Sequence, residues 1–327
     1  MNDDQSQRPD NDPTPAIIHE ASQPPPEPSQ RSRIVSKIFL NPSGIRSGWR
    51  LLIFFVLFFL CARIILLVFP RFLRLGAESL APGPMFVREA LSFLAALVAA
   101  AIMGIFERRS FSDYLLPWRS AFKSRFWWGA LWGLLALSAV VVAIRFDHGF
   151  VFGHLALVGI RIPYEAFGWA LVFIMVGLSE EFTFRGYPLF TLTTGIGFWP
   201  AAIVLSGAFG AVHLANPGED WAGALSAGLI GIFFCFTVRR TGSLWFAVGL
   251  HAMWDYTETF LYSVPNSGLV AKGHLLSSSF HGPHWLTGGS VGPEGSIFAC
   301  VLIGILFLVF HHFYPEARFP RPEQSAG

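Results

Sequence analysis

Ser179-Glu180-Glu181-Phe182-Thr183-Phe184-Arg185-Gly186 closes the apolar run Leu171–Leu178. Two adjacent carboxylates and an arginine thus end a stretch otherwise suited to lipid. A charge at the centre of a bilayer costs at least ~2.5–3.5 kcal/mol on insertion scales, so three charges within six residues demand an explanation. On a helix, Glu181 and Arg185 are an i, i+4 pair and share a face. Glu180 is rotated from Glu181 by about 100°. The geometry predicts that Arg185 neutralises Glu181 and that Glu180 is left free to handle protons.

Composition extends this reading to the whole chain. Of 327 residues, 53% are hydrophobic and only 13% charged, against about 25% charged in soluble domains. The expected class is all-α, a polytopic transmembrane bundle in contact with the lipid bilayer. A net charge of +2 gives no sign of a nucleic-acid partner. Cys61, Cys235 and Cys300 lie in apolar runs without metal-type spacing, and read as packing residues.

Eight stretches have the length and apolarity of spans: roughly 51–69, 86–105, 127–145, 166–187, 198–214, 221–238, 243–262 and 296–313. No series of short alternating strands suggests a barrel. Residues 1–48 read as a disordered, proline-rich tail with a basic juxtamembrane segment, 49–314 as the membrane domain, and 315–327 as a C-terminal tail. Arg63 interrupts the first span and reads as snorkelling or as facing the bundle. Fifteen Lys and Arg residues fall on one side of this topology and six on the other, Arg71, Arg74, Arg88, Arg145, Arg161 and Lys272. The bias predicts both termini in the cytoplasm, 106–125 as the main cytoplasmic loop and 263–295 as a long external loop. His274, His281 and His284 in that loop read as solvated. Gly223, Ala227 and Gly231 on the sixth span, and Gly207 with Ala211 and Ser206 with Gly210 on the fifth, predict close helix packing.

His213 closes the fifth span. His251 lies within the seventh, with Asp255 at i+4 and Glu258 at i+7 on the same face. Glu180, Glu181, Arg185, His213, His251 and Asp255 are nearly all the ionisable groups in the later spans. Polar groups in lipid gather, because each alone is costly. A site between the fourth, fifth and seventh helices is expected, within a core of 165–262.

Glu180-Glu181 with Arg185, Phe209 with His213, and His251 with Asp255 reproduce in order the pattern EExxxR, FxxxH, HxxxD. The pattern resembles that of the CPBP family, the type II CAAX prenyl endopeptidases and their bacterial Abi relatives. Arg240-Thr241-Gly242-Ser243-Leu244-Trp245 is similar as well. The resemblance implies an eight-helix intramembrane endopeptidase whose cavity opens to the cytoplasm and the membrane. Its substrate would be a membrane-anchored protein or peptide, the best-known class being prenylated CAAX termini. A bacterial inner membrane is the expected location. Asp255 departs from the prenyl endopeptidases, which carry Asn there.

The chemistry can also be built from the residues. Amide hydrolysis needs an activated water, a stabilised oxyanion and a proton for the leaving amine. Glu180 is the candidate base, His213 orients the water and His251 donates to the oxyanion. An ionised carboxylate cannot donate, so Asp255 is either protonated or, the preferred reading, orients His251. No cofactor is required. The alternative is zinc held by Glu180, His213 and His251, against which stand the lack of HExxH and the dispersal over three helices. A non-catalytic protein, a proton-coupled transporter or an interaction scaffold, would use the same cluster as a relay. Transporters are often built from repeats, and residues 50–150 hold no second EExxxR.

Overall fold

The computed structural model describes residues 37–42, 44–68 and 81–320. Within them the chain is an all-α bundle with only two-residue strands. Its helices are α1 (Ser47–Val68), α2 (Pro82–Glu107), α3 (Ser124–Phe146), α4 (Arg161–Arg185), α5 (Tyr187–Ile196), α6 (Phe198–His213), α7 (Trp221–Thr241), α8 (Trp245–Tyr256) and α9 (Ile297–Phe313). Each expected span falls on a helix. Five segments, α1, α2, α3, α4 with α5, and α7, are long and apolar enough to cross a membrane by length and composition, and α6 and α9 are shorter apolar helices. The protein is an integral membrane protein. The tail reading of residues 1–36, the end of the C-terminal tail, and Arg31, Arg33, Arg71, Arg74 and Arg321 lie outside the described residues.

One helix was not expected. The fourth span does not end near residue 187; it breaks at Gly186 and resumes as α5. A Cβ at Gly186 would stand 2.6 Å from the Phe182 carbonyl and 2.7 Å from its ring. Pro188, at the start of α5, suits a first turn whose N–H groups have no partner within the helix.

The centre of the bundle is α8. From Trp245 to Ala252 every residue is buried, so this short helix is enclosed around its whole circumference and is apolar except for His251 and Asp255. Glycines bring its neighbours into backbone contact. A Cβ at Gly129 or Gly133 of α3 would overlap the carbonyls of Phe246 or Leu250, and one at Gly249 would overlap that of Phe126. The expected small-residue contact of α6 with α7 is made by Gly210, against Ala224 and Gly228. Gly207, predicted to share it, is exposed and meets nothing.

One end of the bundle is basic. Arg50 donates from Nε and Nη2 to Glu107 at 2.8 and 2.5 Å, and the Tyr187 hydroxyl donates to the same carboxylate at 2.5 Å. The Trp245 indole donates to the Pro117 carbonyl at 3.0 Å, and Arg318 N–H to that of Arg239 at 2.9 Å. Arg185, counted among the cytoplasmic cations, is wholly buried and carries no topological weight. At the opposite end the 263–295 segment folds back on the bundle, with Ser279–Phe280 pairing antiparallel with Phe150–Val151. Its histidines do not meet. His274 Nδ1–H donates to the Leu276 carbonyl, His281 bonds Ser279, and His284 pairs with Asp220 at 2.7 Å.

The glycine contacts generate a prediction of opposite sign at two positions. Gly→Ala in an exposed helix interior favours the helix by ~1 kcal/mol, so Gly207→Ala should hold or raise the melting temperature in detergent. Gly133→Ala forces α3 from α8 and should cost ~1–3 kcal/mol, as overpacking does. Equal shifts in thermal unfolding would contradict this packing.

Candidate active site

The site is built on α4. Glu181 and Arg185 are both fully buried, with Arg185 Nη1 3.2 Å from Glu181 Oε1. The rest of the guanidinium is caged by aromatic faces: it lies 4.1 Å from the Phe209 ring centre, 5.4 Å from Phe234 and 5.7 Å from Phe184. Such faces carry negative potential and favour a cation. Gly231 of α7 leaves the necessary space, since a Cβ there would sit 2.5 Å from Arg185 Nη2.

Glu181 has a second partner. His251 Nδ1–H donates to its Oε1 at 2.9 Å. Gly177, one turn before Glu181, allows this reach, because a Cβ would come within 2.9 Å of the Val248 carbonyl on α8. The His251 ring stacks on Phe234 at 5.1 Å and 17°. Its other nitrogen, Nε2, lies 3.7 Å from Glu180 Oε2 and 3.6 Å from Asp255 Oδ2. Asp255, expected to orient His251, therefore acts on the ring through an ion-pair contact and not through a hydrogen bond. Glu181 makes that hydrogen bond, and Asp255 stands beyond bonding distance on the opposite edge of the ring.

His213 is the last residue of α6, and its Nδ1–H donates to the Phe209 carbonyl at 2.7 Å. The bond leaves Nε2 uncommitted. Each histidine thus has Nδ1 tied to an oxygen, an arrangement that suits a hydrogen-bond donor or a metal ligand equally.

Glu180, His213, His251 and Asp255 line one cavity of about 140 Å³, while Glu181 and Arg185 stand behind its wall. Glu180 keeps about a third of its side chain exposed. The other walls are apolar, from Trp169, Phe173, Val176 and Phe234. Residues 266–271, Glu294 and the first turns of α2 also contribute, but nothing from 108–123 or 239–244 does. The cavity therefore lies toward the end carrying the 263–295 segment, away from the basic end. That segment, expected to be a solvated loop, forms part of the wall.

Two acidic residues of this cavity escaped the sequence reading. Glu89, buried, accepts from Arg88 Nε at 2.9 Å. Its signal was available, a charged pair inside the apolar stretch 86–105. Glu294 accepts from Trp254 Nε1–H at 2.9 Å and from the Ser267 hydroxyl at 2.7 Å. Nothing in a Gly- and Ser-rich loop marks that glutamate as part of a cavity wall. In the turn after α6, burial, opposed by the Asp220 amide and reinforced by the charge of Glu294, pushes the Glu219 carboxyl up to about 7.

Comparison with known proteins coincides with these elements. No curated protein matches the chain. A family model does match, over residues 162–257, just under a third of the 327 residues. The matched segment runs from the start of α4 past Asp255, and contains Glu180, Glu181, Arg185, His213 and His251. Residues 162–257 thus match the model of the family described as type II CAAX prenyl endopeptidase Rce1-like, a match that supports a CAAX-type protease set in a membrane.

Proposed function

We propose that the protein is an intramembrane endopeptidase in which Glu180 is the general base. The observation that carries this reading is the division of labour between two adjacent carboxylates. Glu181 is occupied by Arg185 and His251, whereas Glu180 enters the cavity without a cationic partner of its own and faces His251 Nε2 at 3.7 Å. A water bonded to Glu180 gives up its proton as it attacks the amide carbon, with His213 orienting it. Glu180 then passes that proton to the leaving amine. The oxyanion accepts from His251 Nε2–H. Donation there requires the proton on Nε2, and Glu180 and Asp255 flank that edge of the ring with negative charge. Glu181 and Arg185 are positioning residues, acting through His251. The substrate is a membrane-anchored protein or peptide, a class that includes prenylated CAAX termini. The family match and a cavity walled by membrane helices support that choice. In this reading Glu180 is the base rather than a metal ligand, and the chemistry needs no metal.

We assign both termini to the cytoplasm of a bacterial inner membrane, because the described Arg and Lys side chains crowd the end holding the helix ends at 107–125 and 239–245. This orientation sets the cavity toward the outer face, opposite to the cytoplasmic opening that the family resemblance implies.

The base is tested by Glu180→Gln, which keeps size and hydrogen bonding. Turnover of a membrane-anchored peptide should fall at least ~10²-fold in a variant that still folds and binds. His213→Ala and His251→Ala should be inactive too. Near-normal cleavage by Glu180→Gln would end this assignment. Activity should survive phenanthroline with zinc absent by elemental analysis; loss restored only by Zn²⁺ would make Glu180 a ligand instead.

Arg185→Ala strands Glu181 in the core. Breaking one side of a buried pair costs ~3–5 kcal/mol, to be read as lower folded yield and a lower melting temperature in detergent. An unchanged melting curve would show that Glu181 does not depend on Arg185.

Orientation is open to cysteine labelling in intact cells. Cysteines at 263–295 should react from outside and those at 106–125 only after permeabilisation. The reverse pattern would invert the topology and bring the cavity to the cytoplasmic side.

A further inference from the structure

Beside the cavity, where α8 gives way to a π-helical turn, Thr257–Leu261, three carboxylates converge. Ligating oxygens of Asp255, Glu258 and Glu294 all lie within 4.8 Å of one another, the one such acidic or histidine group among the described residues. Among those residues none of the three pairs with Lys or Arg; Asp255 has only His251 Nε2 at 3.6 Å. Glu258 is the informative member. It is fully buried, and neither of its oxygens accepts a hydrogen bond. The Trp254 indole N–H goes to Glu294 instead. Glu294 is itself fixed, receiving Trp254 on one oxygen and the Ser267 amide and hydroxyl on the other.

Three carboxylates so close cannot all stay ionised without positive charge between them. A single proton would occupy one Glu258 oxygen and leave the other bare, whereas a metal cation can take both. We propose that Asp255, Glu258 and Glu294 bind a hard divalent cation, of the Ca²⁺ or Mg²⁺ class, that ties the 263–295 segment to the end of α8. The ligand set is all oxygen and all carboxylate, with no nitrogen or sulfur, the preference of hard cations rather than of zinc. Waters complete the shell. The site joins an element of the central helix to the segment that walls the cavity, so its occupant links loop order to the shape of that cavity. The inference stands apart from the protease assignment: cation binding is read without any cleavage, and either can fail while the other holds.

The test uses the full-length protein in detergent, stripped with chelator. Tb³⁺, a Ca²⁺ substitute, should bind once per chain and luminesce on indole excitation, since Trp254 Nε1 lies 2.9 Å from Glu294 Oε1. Ca²⁺ or Mg²⁺ should displace it, and the ion should raise the melting temperature. Glu294→Gln and Glu258→Gln should each weaken Tb³⁺ binding at least 10-fold and abolish the thermal shift. Should Glu258→Gln fail to fold, Glu294→Gln decides, its side chain being only partly buried. No saturable luminescence in the unmodified protein, or equal affinity in Glu294→Gln, would overturn the site and leave a proton as the charge between the carboxylates.

Discussion

A carboxylate held entirely out of water governs this bundle. Glu181 has no exposed surface, and in such surroundings an ionised oxygen is tolerable only with close positive charge and hydrogen bonds. Arg185 supplies the charge from the next turn, and His251 supplies an N–H from another helix. Each has its own requirement. The guanidinium needs room, found at Gly231, and a surface that tolerates a cation, found on Phe209. The imidazole needs α8 close to α4, which Gly177 permits. One buried charge thus explains residues on four helices, and it is also what turns His251 so that Nε2 looks into the cavity.

The cavity joins two environments that rarely meet. Its walls are largely the rings and branched chains expected of a membrane interior, yet Glu180, His213, His251 and Asp255 line it together with Arg88, Glu89 and Glu294. Low polarity around a reacting amide strengthens every hydrogen bond aimed at it. The same low polarity makes an unpaired group expensive. That is why the groups not needed for chemistry are paired behind the wall. Glu107 illustrates the same rule at the basic end, where it collects both Arg50 and Tyr187.

Much of this was legible in the sequence, and for one reason. A membrane penalises charge so steeply that Glu180, Glu181, Arg185, His213, His251 and Asp255 stand out from their surroundings without any structure. The i, i+4 spacing of Glu181 and Arg185 translates directly into a contact. What spacing cannot supply is the meeting of separate helices. Glu181 and Asp255 both had a claim on His251, and only the packing of α4 against α8 decides which nitrogen each one faces. Gly207 and Gly210 look alike in sequence, but one faces open space and the other a neighbouring backbone. The break at Gly186 hides because the residues after it remain apolar. The 263–295 segment misleads in the opposite way, since a polar loop has the same composition whether it is solvated or pressed against a cavity.

The glycine contacts of α8 also have a mechanical side. Helices in backbone contact have no side chains between them to rearrange, and close-packed interiors yield little to load. Held by Gly129, Gly133 and Gly249 against α3 and by Gly177 against α4, α8 is the stiff member of the assembly. The edge of the cavity made by α2 and residues 266–271 lacks such clasps to α8. Compliance is therefore unevenly distributed: in the endopeptidase we propose, His251 would stay still while the opposite wall took up the strain of admitting a peptide. Under that proposal α8 is a fixed anvil with one yielding side opposite it, and the register of a bound chain would be set from the anvil.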